Sequence, residues 1–172
     1  MANNDLEDNV LLLDDEDPDT PNNKYLLFHL GKEEYGIDIA QVTAIEELPN
    51  ITVIPDMPEY IKGVINLRGK VIPAVDLRLR FGLKEREYDN RTCIIIVKVK
   101  DNTIGFIVDT VSEVHDIQKS NIGAPPSFKN ASRHNQYIQG LAKQGEEVKI
   151  LLDVEKLISG EDQNILNDIP EE

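Results

Sequence analysis

A chain of 172 residues is long enough for one or two packed domains, and 40% hydrophobic residues exclude wholesale disorder. Aromatic residues make up only 5%, with no Trp, which argues against a stacking platform for single-stranded nucleic acid. The formal net charge of −14 sits at the ends: residues 1–24 carry eight acids against one base, and residues 159–172 carry five acids and no base. The body between them is close to neutral and lacks the cationic footprint that phosphate binding needs, so no nucleic-acid partner is expected. The one cysteine, Cys93, excludes an internal disulfide and a cysteine-cluster metal site. The longest apolar run near the N-terminus, Val10 to Leu13, is too short for a signal peptide or a membrane span. A cytoplasmic protein without direct membrane insertion is the expectation.

In chain order, residues 1–24 read as an acidic, disordered extension. From Tyr25 the pattern is one of hairpins. Tyr25 to Leu30 meets Gly31-Lys32, and Glu34 to Ile37 returns; Val64 to Leu67 meets Arg68-Gly69, and Val71 to Val75 returns. Ile94 to Lys100 is rich in β-branched residues and meets Asp101-Asn102 before Thr103 to Val108 returns; Leu141-Ala142 meets Gln144-Gly145 before Val148 to Leu152. Short breaks containing Gly, Asn or Asp between apolar runs are the main hairpin signal. Short helical turns fit at Leu77–Phe81 and Val154–Ile158, and residues 159–172 read as an acidic segment with helical character.

The hairpins form a repeat. Tyr60-Ile61-Lys62-Gly63-Val64 has a counterpart 77 residues on in Tyr137-Ile138-Gln139-Gly140-Leu141, and Val71 to Leu77 recurs at Val148 to Val154 with the same offset. Upstream, Tyr35-Gly36-Ile37 matches Ile104-Gly105-Phe106, and Val42 to Ile45 matches Val111 to Val114, both 69 apart. The eight extra residues of the second copy fall in Lys119–Asn135, a polar stretch with Pro125-Pro126 that reads as a long loop. A unit of about seventy residues with about five short strands is too small for a sandwich, and barrel closure removes its open edges. The fold class is therefore all-β: two small barrels packed together, with a groove between them as the expected binding site.

Few residues look chemical. His29 reads as a satisfied strand histidine, His115 and His134 show no metal-ligand spacing, and Cys93 reads as a buried, inert thiol. No phosphate loop or cofactor motif is present, so neither an enzyme nor a bound cofactor or metal is expected. An enzyme using Asp76 or His115 is the remote alternative. The sharpest signal is Gly63 to Leu77, because Asn66, Arg68 and Asp76 are more than a hairpin turn demands. Arg68 can clamp the turn by pairing with a carboxylate, or present its planar fork to a protein partner.

That stretch, Gly-Val-Ile-Asn-Leu-Arg-Gly-Lys-Val-Ile-Pro-Ala-Val-Asp-Leu after Pro58-Glu59-Tyr60-Ile61, resembles the signature of the bacterial chemotaxis coupling protein family, CheW. The resemblance runs from about Tyr25 to Ile158 and takes in Tyr35-Gly36-Ile37, Val108-Asp109-x-Val111 and Leu151-Leu152-Asp153. It implies two intertwined five-stranded barrels of SH3-like type over 25–158. It also implies a non-catalytic adaptor, recruited to receptor arrays at the inner face of the membrane. The implied partners are the cytoplasmic tip of methyl-accepting chemoreceptors and the regulatory domain of the chemotaxis histidine kinase. A coupler of the same fold for another histidine-kinase pathway, serving motility or development, is the alternative. The partner-binding surface implied takes Ile45 and Glu46, the signature residues Gly63, Val64, Asn66, Leu67, Arg68 and Gly69, and Val108 with Asp109. Where the family carries Val-x-Glu-Ile, this chain has Val42-Thr43-Ala44-Ile45, so either the acidic role falls to Glu46 or Glu47, or Arg68 has a different partner.

Overall fold

The structure, a computed structural model, describes residues 23–124 and 137–158. Its strands are β1 (Lys24–Leu30), β2 (Glu33–Asp38), β3 (Val42–Glu47), β4 (Ile61–Leu67), β5 (Lys70–Asp76), β6 (Cys93–Val99), β7 (Asn102–Val108), β8 (Thr110–Asp116), β9 (Ile122–Gly123), β10 (Ile138–Gln144) and β11 (Glu147–Leu152). The four expected hairpins are β1–β2, β4–β5, β6–β7 and β10–β11. The two expected helical turns are one-turn helices at Leu77–Arg80 and Val154–Leu157, each capped by the preceding aspartate, Asp76 or Asp153. An aspartate there accepts a backbone N–H that the first turn cannot satisfy itself. The expected acidic extension and C-terminal helical segment lie outside the described residues.

The strands form two sheets, ordered β8-β1-β2-β11-β10-β9 and β3-β6-β7-β5-β4. Each takes its leading hairpin from one half of the repeat and its remaining strands from the other, so the halves are intertwined. They are joined by two parallel pairings, β11 on β2 and β5 on β7, and by two antiparallel ones, β1 on β8 and β3 on β6. The duplication holds residue for residue: Leu151 opposes Gly36 in one, and Ala74 opposes Gly105 in the other. Counting five strands per sheet falls one short, because β9 adds two residues to β10, with Gly123 opposite Leu141. Its counterpart in the other sheet is the isolated bridge of Thr52 to Val64. Part of the expected long loop is thus a strand.

Alternation of side chains explains why β1 and β6 are apolar on both faces. Tyr25 and Leu27 face one small core with Ala142 and Leu151, while Ile94 and Ile96 face another with Ile65, Ile72 and Ala74. The intervening residues Leu26, Phe28, Leu30, Ile95, Val97 and Val99 join the largest cluster, shared by both sheets. The junction expected to hold an open groove is therefore, in its interior, a packed core. Burial of this kind contributes about 25 cal/mol per Å², which ties the two barrels into one folding unit.

Candidate functional site

Strands β3 and β4 are the two outer strands of the five-stranded sheet, and no ladder joins them. Two contacts cross that gap. One is the pair of backbone hydrogen bonds between Thr52 and Val64, at 2.8 and 2.9 Å. The other is an ion pair in which Arg68 Nη2 donates to Glu46 Oε2 at 3.0 Å. Strand parity selects Glu46 over Glu47: along β3 the even positions are turned inward and the odd ones outward, so Glu46 shares the face of Ala44. Ile45 points the other way and is 43% exposed.

Arg68 occupies the turn of the β4–β5 hairpin with φ +54°, and Gly69 follows at +84°. Two consecutive positive φ values match the right-handed twist of a tight hairpin, and Asn, Asp or Gly usually supply them. Arginine there carries a backbone penalty, which only its side chain can offset. Asn66 stabilises the bend by accepting the Gly69 N–H on Oδ1 at 2.9 Å. The guanidinium meanwhile stands out of the surface at 74% exposure, with Glu46 as its ion-pair partner among the described residues. The corner can therefore offer a partner a charged fork.

The ten residues expected at the partner surface do not all gather there. Glu46, Asn66, Arg68 and Gly69 form the corner, with Leu67 half-buried in the core of its own barrel, while Ile45 is exposed on the opposite face of β3. Gly63 is buried and structural: at φ +144°, a Cβ would sit 2.0 Å from the Thr52 carbonyl oxygen. Val64 carries the bridge to Thr52 and packs against the shared core. Val108 and Asp109 depart from expectation, since they are 1% and 8% exposed. Asp109 is committed internally. Its carboxylate accepts from Arg78 Nε at 2.9 Å and the Gly31 N–H at 2.8 Å, and it pairs with Arg86 at 3.0 Å. Burial opposes its ionisation, but these donors outweigh burial and hold the carboxyl below its ordinary range.

The groups considered for chemistry are likewise occupied. Buried Asp76 caps Leu77–Arg80 through the Leu79 N–H and accepts the Tyr88 hydroxyl at 2.6 Å. Burial, then the carboxylate beside it, pushes the Tyr88 phenol far above its usual value. His115 contacts Glu113 at 2.7 Å and Gln144 at 3.2 Å. His29 lies 3.0 Å from Ser112 Oγ. Burial raises the half-buried Cys93 thiol, away from nucleophilic character. Among the described residues no three acidic, His or Cys side chains are placed to hold a metal ion. No helix among them is long and apolar enough to cross a membrane.

Residues the sequence reading passed over also organise the surface. Lys149, on β11, is buried and donates to Glu147 at 2.6 Å and to Glu34 on β2. Its hydrogen bonds to these acids hold its ammonium above its usual value. Arg80 lies between Tyr60 and Tyr137, 5.4 and 5.6 Å from their ring centres, and donates to the Leu157 carbonyl. The two tyrosines are the repeat partners seen in the sequence, so this guanidinium sits where the halves meet.

The CheW-like domain family model matches residues 24–162, the whole of both barrels. The chain belongs to the CheW-like domain family. It is 37% identical over 151 residues to the chemotaxis protein CheW of Klebsiella aerogenes, covering 88% of this chain and 90% of that one. The CheW of Treponema pallidum is 33% identical over 139 residues, covering 78% of this chain and 81% of the relative. Among solved structures, the scaffolding protein TtCheW from Thermoanaerobacter tengcongensis superposes with a TM-score of 0.75 at 36% identity, covering 83% of this chain and 96% of that one. The CheW-like fold thus accounts for the two barrels, and the protein is a chemotaxis scaffold of that family.

Proposed function

We propose that this CheW-like protein couples the cytoplasmic tip of chemoreceptors to the regulatory domain of the chemotaxis histidine kinase, without chemistry of its own. The observation that carries the reading is the Arg68 corner. An exposed arginine occupies a backbone position that disfavours it and is braced by Glu46 and by the Asn66 turn, with exposed Ile45 on the same strand as Glu46. Arginine is a common centre of an interface, because its fork forms several hydrogen bonds while its stem packs. The corner lies at the hairpin end of the five-stranded barrel and would take one partner there. Reversible signalling contacts of this kind bury on the order of 1,200 Å² or less and bind at roughly micromolar Kd. Coupling then requires the complex to bind the active and inactive kinase states unequally.

The test is a pull-down of the protein with a receptor cytoplasmic fragment and the kinase regulatory domain, comparing wild type with Arg68→Ala. A ternary complex that the substitution weakens supports coupling through this corner. Failure of wild type to bind either partner would transfer the role to another histidine-kinase pathway. An unchanged complex with Arg68→Ala would remove the corner from the interface.

A further inference from the structure

Because the two halves are homologous, the intertwined pairing has a close rival. Each half could fold onto itself, with β5 beside β2 and β11 beside β7 at the parallel junctions, and with β3 taking the place of β8 beside β1 and β8 that of β3 beside β6. The apolar positions at the two parallel junctions correspond in kind though not in volume: Leu151 opposite Gly36 is matched by Ala74 opposite Gly105, and Leu152 opposite Ile37 by Val75 opposite Phe106. Hydrophobic pattern therefore fits either pairing, while packing favours the native one, since Leu151 fills the space over Gly36 that Ile94 fills over Gly105.

Charge distinguishes them strongly, at the two opposite ends of the junctions. One residue before the paired segment of β11 stands Lys149, bonded to Glu34 on β2. The repeat equivalents, offset by 77 and 69, are Ile72 on β5 and Thr103 on β7. Ile72 is buried in the core of the five-stranded barrel, and Lys149 is buried at the matching place in the other. Exchange would set the Lys149 ammonium beside Thr103 and Glu34 beside Ile72. At the other end, Arg78 follows β5 and Asp109 follows β7, and they meet at 2.9 Å. Their equivalents are Glu155 after β11 and Ala40 after β2. Exchange would bring Glu155 towards Asp109 and leave Arg78 facing Ala40. Separating a buried ion from its partner is far more costly than the pair is worth in place.

We propose that Lys149–Glu34 and Arg78–Asp109 form a charge key at the two parallel junctions, which admits the intertwined pairing of the halves and rejects the self-paired one. Each ion pair spans a junction, each has an uncharged or like-charged equivalent at the other, and no self-paired arrangement satisfies either. The device acts through the rejected state, in the way polar groups set register elsewhere.

The experiment moves one key to the wrong junction. The mis-keyed variant Glu34→Thr/Thr103→Glu puts the acid on β7 while Lys149 stays on β11. The re-keyed variant adds Lys149→Ile and Ile72→Lys, which restores an ion pair across the native β5–β7 junction. After refolding from denaturant, backbone NOEs report the pairing: Leu151 to Gly36 and Ala74 to Gly105 for the native form, Leu151 to Gly105 and Ala74 to Gly36 for the exchanged one. The expected result is native NOEs alone in wild type and the re-keyed variant, and a second, exchanged set in the mis-keyed variant. A mis-keyed chain that refolds with native NOEs alone, however destabilised, overturns the proposal. Should that variant give no soluble product, its refolding yield is compared with Glu34→Thr alone. A greater loss in the mis-keyed chain, recovered on re-keying, supports selection, and equal losses overturn it.

Discussion

Arg68 and Glu46, 22 positions apart in the chain, meet at 3.0 Å across the one side of the five-stranded barrel that no strand ladder closes. The pair is mostly exposed at the arginine, so it contributes little to stability, about 0–1 kcal/mol. Its value lies in fixing where the guanidinium stands.

This separates folding from binding. Replacing Arg68 by Gly relieves the positive φ at the turn and is expected to leave stability unchanged or raise it by about 0.5–1 kcal/mol, while weakening partner capture. Urea denaturation alongside the pull-down checks both halves. A loss of several kcal/mol would make Arg68 a structural clamp first.

Gly63→Ala is expected to behave in the opposite way. Its Cβ would fall 2.0 Å from the Thr52 carbonyl oxygen at a φ that L-residues avoid, so the bridge to Val64 must break. A destabilisation of about 3 kcal/mol or more is expected by chemical denaturation. Any binding defect should then scale with the unfolded fraction.

Acid should release Asp109. Its carboxyl has a lowered folded-state pKa, so its stabilisation is fully present above the unfolded value of about 3.9 and is lost as pH falls through the folded one. Asp109→Asn should therefore lower the melting temperature clearly at pH 7, with the gap to wild type narrowing below about pH 4. A gap independent of pH would show that shape, not charge, is what the position supplies.

Tyr88→Phe removes the donor to a carboxylate that is 2% exposed and leaves Asp76 with its helix-capping bond only. A cost of about 1.5–3 kcal/mol is expected, since a buried charged acceptor loses a partner. In wild type the phenol should stay protonated until alkaline unfolding, so ultraviolet titrations of wild type and variant should coincide before unfolding and differ by one tyrosine only when the chain unfolds.

The hairpins were legible because each turn carries its own chemistry, as Arg68-Gly69 and Gln144-Gly145 do. The duplication was legible as well, through offsets that survive in the paired strands. Which half pairs with which was not legible from periodicity, because Leu151 and Ala74 are both apolar at equivalent positions; the resemblance supplied the intertwining. β9 hid in a polar stretch, although Gly140 repeats Gly63 and meets the same close backbone approach, here from Gly123. At the candidate site the turn residues could be read locally. The burial of Val108 and the commitment of Asp109 could not, since Arg78 lies 31 positions away and Gly31 lies 78 away.

The parallel contact of β11 with β2 also sets a timetable for synthesis. The amino-terminal hairpin leaves the ribosome first, yet its sheet lacks its partner strand until residues some 115 positions later have emerged, as the spacing of Lys149 from Glu34 measures. A nascent chain halted after β7 holds β1 and β2 with both flanks unclaimed and their apolar faces uncovered. Such stalled products should be sticky and short-lived, whereas the finished chain can complete both barrels together.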